Sequence, residues 1–144
     1  MPEKKTMERA REDAREGKAP STQAGEFVRE EMEHIRQGKH GAPSPEQAIA
    51  IGLSKARRAG VKLPPPKKGR VSRQTMAKTE RDYSAGQSGK RSKPSAKRSR
   101  SRTAALKRES RAAASHRALS KHARRAARAR KTRGAVARSR PRSR

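Results

Sequence analysis

The chain contains no cysteine, which excludes disulfides, thiolate metal sites and cysteine nucleophiles. It has no tryptophan, one tyrosine and one phenylalanine, too few rings for the stacking platforms that hold single-stranded nucleic acid. Acidic residues are scarce as well: 13 Asp+Glu face 41 Lys+Arg, a formal net charge of +28. No apolar run approaches the roughly 20 residues that span a bilayer. The charged stretch 1–17 also lacks the apolar core of a signal peptide. These absences predict a cytosolic protein without a membrane partner. Hydrophobic residues make up only 28% of the 144, too few to offset the entropy of ordering the whole backbone. Most of the chain is therefore expected to be disordered when alone.

The charge that is present is unevenly placed. Residues 1–60 carry 12 basic and 10 acidic side chains, whereas residues 61–144 carry 29 and 3, the acids there being Glu80, Asp82 and Glu109. This asymmetry is the mark of a small module joined to a basic tail. The boundaries read as a helical module over 1–66, a disordered basic linker over 67–102, a conditional basic helix over 103–133 and a disordered tail over 134–144.

The module predicts three helices, at about 3–16, 22–37 and 45–59. The first has a thin stripe of Met7, Ala10 and Ala14, and Gly17 as its stop. In the second, Ser21 or Thr22 would be the cap, and Ala24, Phe27, Val28, Met32 and Ile35 share one face. Glu30, Glu31, Glu33 and Arg36 take the remaining positions, where carboxylate pairs such as Glu30/Glu33 would be exposed, and Gly38 ends the helix before a loop that Gly41 keeps flexible. The third helix opens on Ser44-Pro45-Glu46-Gln47, a cap, a first-turn proline and a reciprocal partner for the cap. Ala48, Ile49, Ile51, Gly52, Leu53 and Ala56 give it a wide apolar face, with Lys55, Arg57 and Arg58 in the last turn and Pro64-Pro65-Pro66 beyond. The fold class expected is a small all-α helical hairpin with a basic tail. Its core and partner face would be Phe27, Val28, Met32, Ile35, Ile49 and Leu53. So few large apolar side chains point to a homodimer or a protein partner that completes the core.

From Lys67 to Arg102 no apolar period is evident, and 97–102 is a short Arg-Ser repeat. Residues 103–133 are rich in Ala and Arg, strong helix formers. Ten cations and one anion over 104–131 would hold the free segment apart by self-repulsion until phosphates neutralise it. The expected phosphate-binding residues are Lys97, Arg98, Arg100, Arg102, Lys107, Arg108, Arg111, Arg117, Lys121, Arg124, Arg125, Arg128, Arg130, Lys131 and Arg133. His116 and His122 would join them as further donors. The competing reading of the tail is a solvated face that confers solubility.

Other motifs carry less. Lys55, Arg57 and Arg58 invite a helix-turn-helix reading, but the turn is long for that motif and the preceding helix acidic. His34 and His40 match no metal-ligand spacing and are expected at the surface, so no metal or cofactor is predicted. Gly86-Gln87-Ser88-Gly89-Lys90 has Ser84 where a phosphate loop needs glycine, and no strand before it. Ser99, Ser101, Ser139 and Ser143 lie in contexts that basophilic kinases favour, although unmodified serine is the simpler expectation. Nothing predicts an enzyme.

The stretches PSTQAGEFVREE (20–31) and QAIAIGLSKARRAG (47–60) resemble an uncharacterised family of small bacterial proteins, a domain of unknown function, over about residues 1–66. The resemblance implies no catalytic residue or ligand. The tail is similar only in composition to those of linker histones. The function expected is non-sequence-specific nucleic-acid binding in the nucleoid, with DNA ahead of RNA. The alternative is an adaptor whose hairpin docks a protein while its tail tethers it to DNA, RNA or ribosomes.

Overall fold

The computed structural model describes residues 1–89, 93 and 95–139. Among these residues it is all-helical: α1 (Lys4–Arg15), α2 (Pro20–Arg36), α3 (Pro45–Arg58), α4 (Arg73–Ser88), α5 (Ala96–Lys107), a 3₁₀ turn (Arg111–Ala114) and α6 (His116–Ser139).

The three N-terminal helices fall where sequence places them. Ser44 Oγ accepts from the Gln47 N–H at 3.2 Å, with Pro45 in the first turn of α3. The cap of α2 differs from expectation. Ala19 occupies that position without a side-chain bond, and the helix begins at Pro20, whose missing N–H costs nothing there. On α2, Ala24, Phe27, Met32 and Ile35 are buried, and Ala48 and Ala56 of α3 meet them. Val28, Ile49 and Leu53 are partly buried around these.

Close approach compensates for small side chains. A Cβ added to Gly52 would lie 2.7 Å from the Val28 Cα and 2.9 Å from its N, so α3 rests directly on the backbone of α2. Two clusters result. One joins Ala10 of α1 with Ala24, Phe27, Ala56 and Val61; the other joins Met32, Ile35, Ala42 and Ala48 with Ala113 and Ala114 of the 3₁₀ turn. Of the face expected to meet a partner, Phe27, Met32 and Ile35 are buried within the chain, and Val28, Ile49 and Leu53 are partly so.

The C-terminal half departs from expectation. The linker predicted over 67–102 contains α4 and the first part of α5. Helix α4 is capped by Ser72, whose Oγ accepts from the Thr75 N–H at 3.2 Å. Its inner face is Met76, Thr79, Tyr83 and Gly86, a helical period that only one methionine and one tyrosine signal. A side chain on Gly86 would collide with the Arg57 carbonyl, so this glycine lets α4 cross the end of α3. It lies within a helix, not in a phosphate loop.

The single helix predicted over 103–133 is also divided. Ser110 caps the 3₁₀ turn, bonding the Ala112 N–H at 3.0 Å, and Ser115 caps α6, bonding the Ala118 N–H at 3.2 Å. Between them the tighter winding inserts Ala113 and Ala114 into the core, and Arg36 Nε donates to the Ala114 carbonyl at 3.3 Å. Helix α6 then continues through 134–139, where a disordered tail was expected; residues 140–144 lie outside the described residues. The 38–44 loop is tied down as well. The Gly41 N–H donates to the Leu106 carbonyl at 2.9 Å and the Ala42 N–H to Ser110 at 3.0 Å. A side chain on Gly41 would strike the Glu109 carbonyl, so this glycine serves close packing, not flexibility.

Two glycine substitutions distinguish these roles. Gly52→Ala forces apart a backbone contact and should lower unfolding stability by about 1–3 kcal/mol. Gly25→Ala, in mid-helix with nothing within 4 Å of the new Cβ, should raise it by about 0.5–1 kcal/mol. Urea denaturation of the two variants would check both signs.

Candidate nucleic-acid interface and the buried carboxylates

The fold divides the cations into those used internally and those presented outward. All three in the last turn of α3 are used internally. Lys55 Nζ bonds Glu31 Oε1 and lies 3.7 Å from Glu30 Oε1. Arg57 is buried, its Nε donating to the Leu63 carbonyl at 3.2 Å, and burial pulls its guanidinium below the ordinary arginine range. Arg58 Nε pairs with Asp82 Oδ1 at 2.6 Å. These residues hold the helices together, Arg58 doing so while its side chain stays exposed, and a groove-reading role would compete with these bonds.

The fifteen residues predicted to meet phosphate are all exposed. Lys97, Arg98, Arg100, Arg102 and Lys107 project from every side of α5, which packs on no other helix among the described residues. Arg108 caps the end of α5, and Arg111 opens the 3₁₀ turn and lies over Gly38. Helix α6 is more organised. Leu119, His122, Ala126 and Ala129 are its partly buried side. Opposite them stand Arg117, Lys121, Arg124, Arg128 and Lys131, extended by Arg138, which sequence assigned to a disordered tail. At about 100° per residue these six cations fall within an arc of about 100°, in a row about 31 Å long. Arg125 stands on the flank of the row and pairs with Glu46, while Arg130 and Arg133 leave from the opposite side.

Three placements overturn sequence expectations. His122 was read as a phosphate donor, but its Nδ1 lies 3.1 Å from Glu46 Oε1 and helps dock α6 on α3. Glu30 and Glu31 were placed on an exposed face, yet they are 6% and 1% exposed. His34 and His40 were expected at the surface and are instead half-buried beside them. His40 Nε2 lies 3.2 Å from Glu31 Oε2 and His34 Nδ1 4.0 Å from Glu31 Oε1. The ligand atoms of Glu31, His34 and His40 all lie within 4.8 Å of one another. The i, i+3 spacing of Glu31 and His34 was visible in the sequence; the return of His40 to them depends on the loop after Gly38. Glu3 closes the outer side, its Oε1 2.9 Å from His34 Nε2 and 3.3 Å from Lys39 Nζ, and these bonds hold its carboxyl below the usual range.

Fold and site together define a small all-helical protein with a cationic outer helix and a buried acidic pocket. Residues 4–68 match the family of unknown function DUF6496. The match spans α1 to α3, as the resemblance implied, and stops short of the basic helices. No curated protein and no solved structure matches the chain.

Asp82 is the acid on which α4 depends, 5% exposed and bonded by Ser54 Oγ and Arg58 Nε at 2.6 Å each. Asp82→Ala should cost about 1–3 kcal/mol. Hydrogen exchange would then show the amides of α4 losing protection ahead of those of α2.

Proposed function

We propose that this protein binds nucleic acid without sequence preference, using the outer row of α6 as its principal contact and α5 with its flanking arginines as a second. The observation that carries this reading is the separation of α6 into a docked side and a row of six cations, Arg117, Lys121, Arg124, Arg128, Lys131 and Arg138. A row with no acid between its members displaces condensed counterions from a phosphate backbone, a gain that no base edge influences. The polyanion that suits it best is duplex DNA, because the row is straight and the protein offers no aromatic platform for separated bases. A nucleoid setting and a binding role without catalysis accompany this reading. The adaptor alternative has less to rest on: the large exposed apolar side chains among the described residues are Met1 and Val136, at opposite ends of the chain.

Six phosphates engaged by the α6 row contribute about −5 to the slope of log K against log salt on a DNA duplex, with α5 adding to it. Replacing Arg117, Arg124 and Lys131 together with Gln should make the slope shallower by about 3 and weaken binding alike on unrelated sequences. Fluorescence anisotropy across a salt series checks both. Binding that ignores salt, or that the triple variant leaves intact, would exclude α6 as the interface.

A further inference from the structure

The pocket between α2 and the 38–44 loop is not used by the proposed interface, and its charges run against those of the rest of the molecule. In a chain of net charge +28, three carboxylates (Glu3, Glu30 and Glu31) here face only two ammonium groups, Lys39 and Lys55. Two of those carboxylates are almost fully buried, and Glu30 Oε1 and Glu31 Oε2 each lack a hydrogen-bond partner among the described residues. A buried carboxylate oxygen without a donor is costly. Something cationic suits this pocket beyond what the described side chains provide.

The two imidazoles indicate what it is. His40 Nδ1 lies 2.9 Å from the Gly41 carbonyl, which can only accept, so the ring donates from Nδ1. Its Nε2 is then turned toward Glu31 Oε2 at 3.2 Å, yet it makes no hydrogen bond to that oxygen. His34 is held in the reverse sense. Its Nε2 donates to Glu3 Oε1 at 2.9 Å, leaving Nδ1 on the side of Glu31, 4.0 Å from Oε1. Each ring thus has its outer nitrogen held by a backbone carbonyl or a carboxylate and its inner nitrogen directed at one buried carboxylate. That is how the outer-shell partners of metal-binding histidines fix their tautomers.

We propose that Glu31, His34 and His40 bind a divalent transition-metal ion of the zinc class, with His34 ligating through Nδ1, His40 through Nε2 and Glu31 through a carboxylate oxygen. Two imidazoles and one carboxylate form a recognised ligand set for zinc, with a fourth position for water. The distances agree. Ligand bonds of about 2.0–2.1 Å at tetrahedral angles place neighbouring ligand atoms about 3.3 Å apart, and His40 Nε2 and Glu31 Oε2 are 3.2 Å apart. His34 closes the set by a shift of its ring, since all three donors already lie within 4.8 Å. Lys55, now on Glu31, has an alternative when the ion arrives: Glu30 Oε1 is 3.7 Å away and otherwise without a hydrogen-bond partner. The ion would fasten the 38–44 loop to α2, and that same loop holds Leu106 and Ser110 through its backbone. Metal binding therefore strengthens the docking of the basic C-terminal half.

The test uses the full chain, prepared without a histidine tag, stripped with chelator and titrated with zinc by calorimetry and with cobalt by visible absorption. One ion per chain is expected, with the intense absorption of four-coordinate cobalt and a zinc-dependent rise in melting temperature. His34→Ala and His40→Ala should each weaken binding by more than about 100-fold, beyond what loss of an outer-shell partner costs, and Glu3→Ala by about 10-fold. His116→Ala should leave it unchanged. Lys55→Ala should unfold more readily than the parent without metal and recover with zinc. Absence of stoichiometric binding by the folded parent chain, or binding that survives in the His34→Ala/His40→Ala double variant, would overturn the assignment.

Discussion

The distance between α2 and α3 is set where Gly52 meets the backbone of Val28, and most of the fold depends on that distance. The chain has a single phenylalanine and no tryptophan, so it cannot span a wide gap between helices with large side chains. It closes the gap instead: Ala24, Ala48 and Ala56 are fully buried because backbones approach within reach of a methyl group. The same approach brings Lys55 of α3 onto Glu30 and Glu31 of α2, converting two carboxylates on the flank of an amphipathic helix into buried ones. Gly86 against the Arg57 carbonyl and Gly41 against Glu109 repeat the device where later parts of the chain return to the hairpin. A small core becomes sufficient because close packing raises the number of dispersion contacts that each small side chain makes.

Buried charge is the second consequence. Taking an ion out of water is unfavourable unless a partner meets it. The described structure meets this demand by drawing cations inward: Lys55 to the glutamates, Arg58 to Asp82, Arg57 to the carbonyls of Leu63 and Pro64. On α6 six of the cations are gathered on one side, because the opposite side rests on α3 and the 3₁₀ turn. The outer row is therefore a by-product of docking. A free basic tail would present its charge in every direction; a docked helix concentrates it in a line.

The hairpin was legible because its signals are local. Ser44-Pro45, the alternation of apolar residues from Ala24 to Ile35, and Gly17, Gly38 and Gly60 act within one or two turns of themselves. Helix α4 was not, because its inner face is Met76, Thr79, Tyr83 and a glycine, a pattern that resembles a linker until Asp82 meets Arg58 and Ser54. The exposed cations of α5 and α6 were visible from charge alone, yet their arrangement was missed, since a free helix has no preferred outside. Arg138 escaped for the same reason, and His122 was misread because Glu46 is 76 positions away.

By itself the sequence determined that the protein is helical, that its first 66 residues hold the hairpin, and that its charge is strongly positive and concentrated after residue 60. Periodicity, capping and Coulomb charge operate locally or do not depend on shape. Only the tertiary structure decided which cations remain outside, that the basic half packs back on the hairpin through Ala113 and Ala114, and that Glu31, His34 and His40 converge. Those outcomes depend on contacts between distant residues, which a close glycine approach permits and a linear reading of side-chain types does not record.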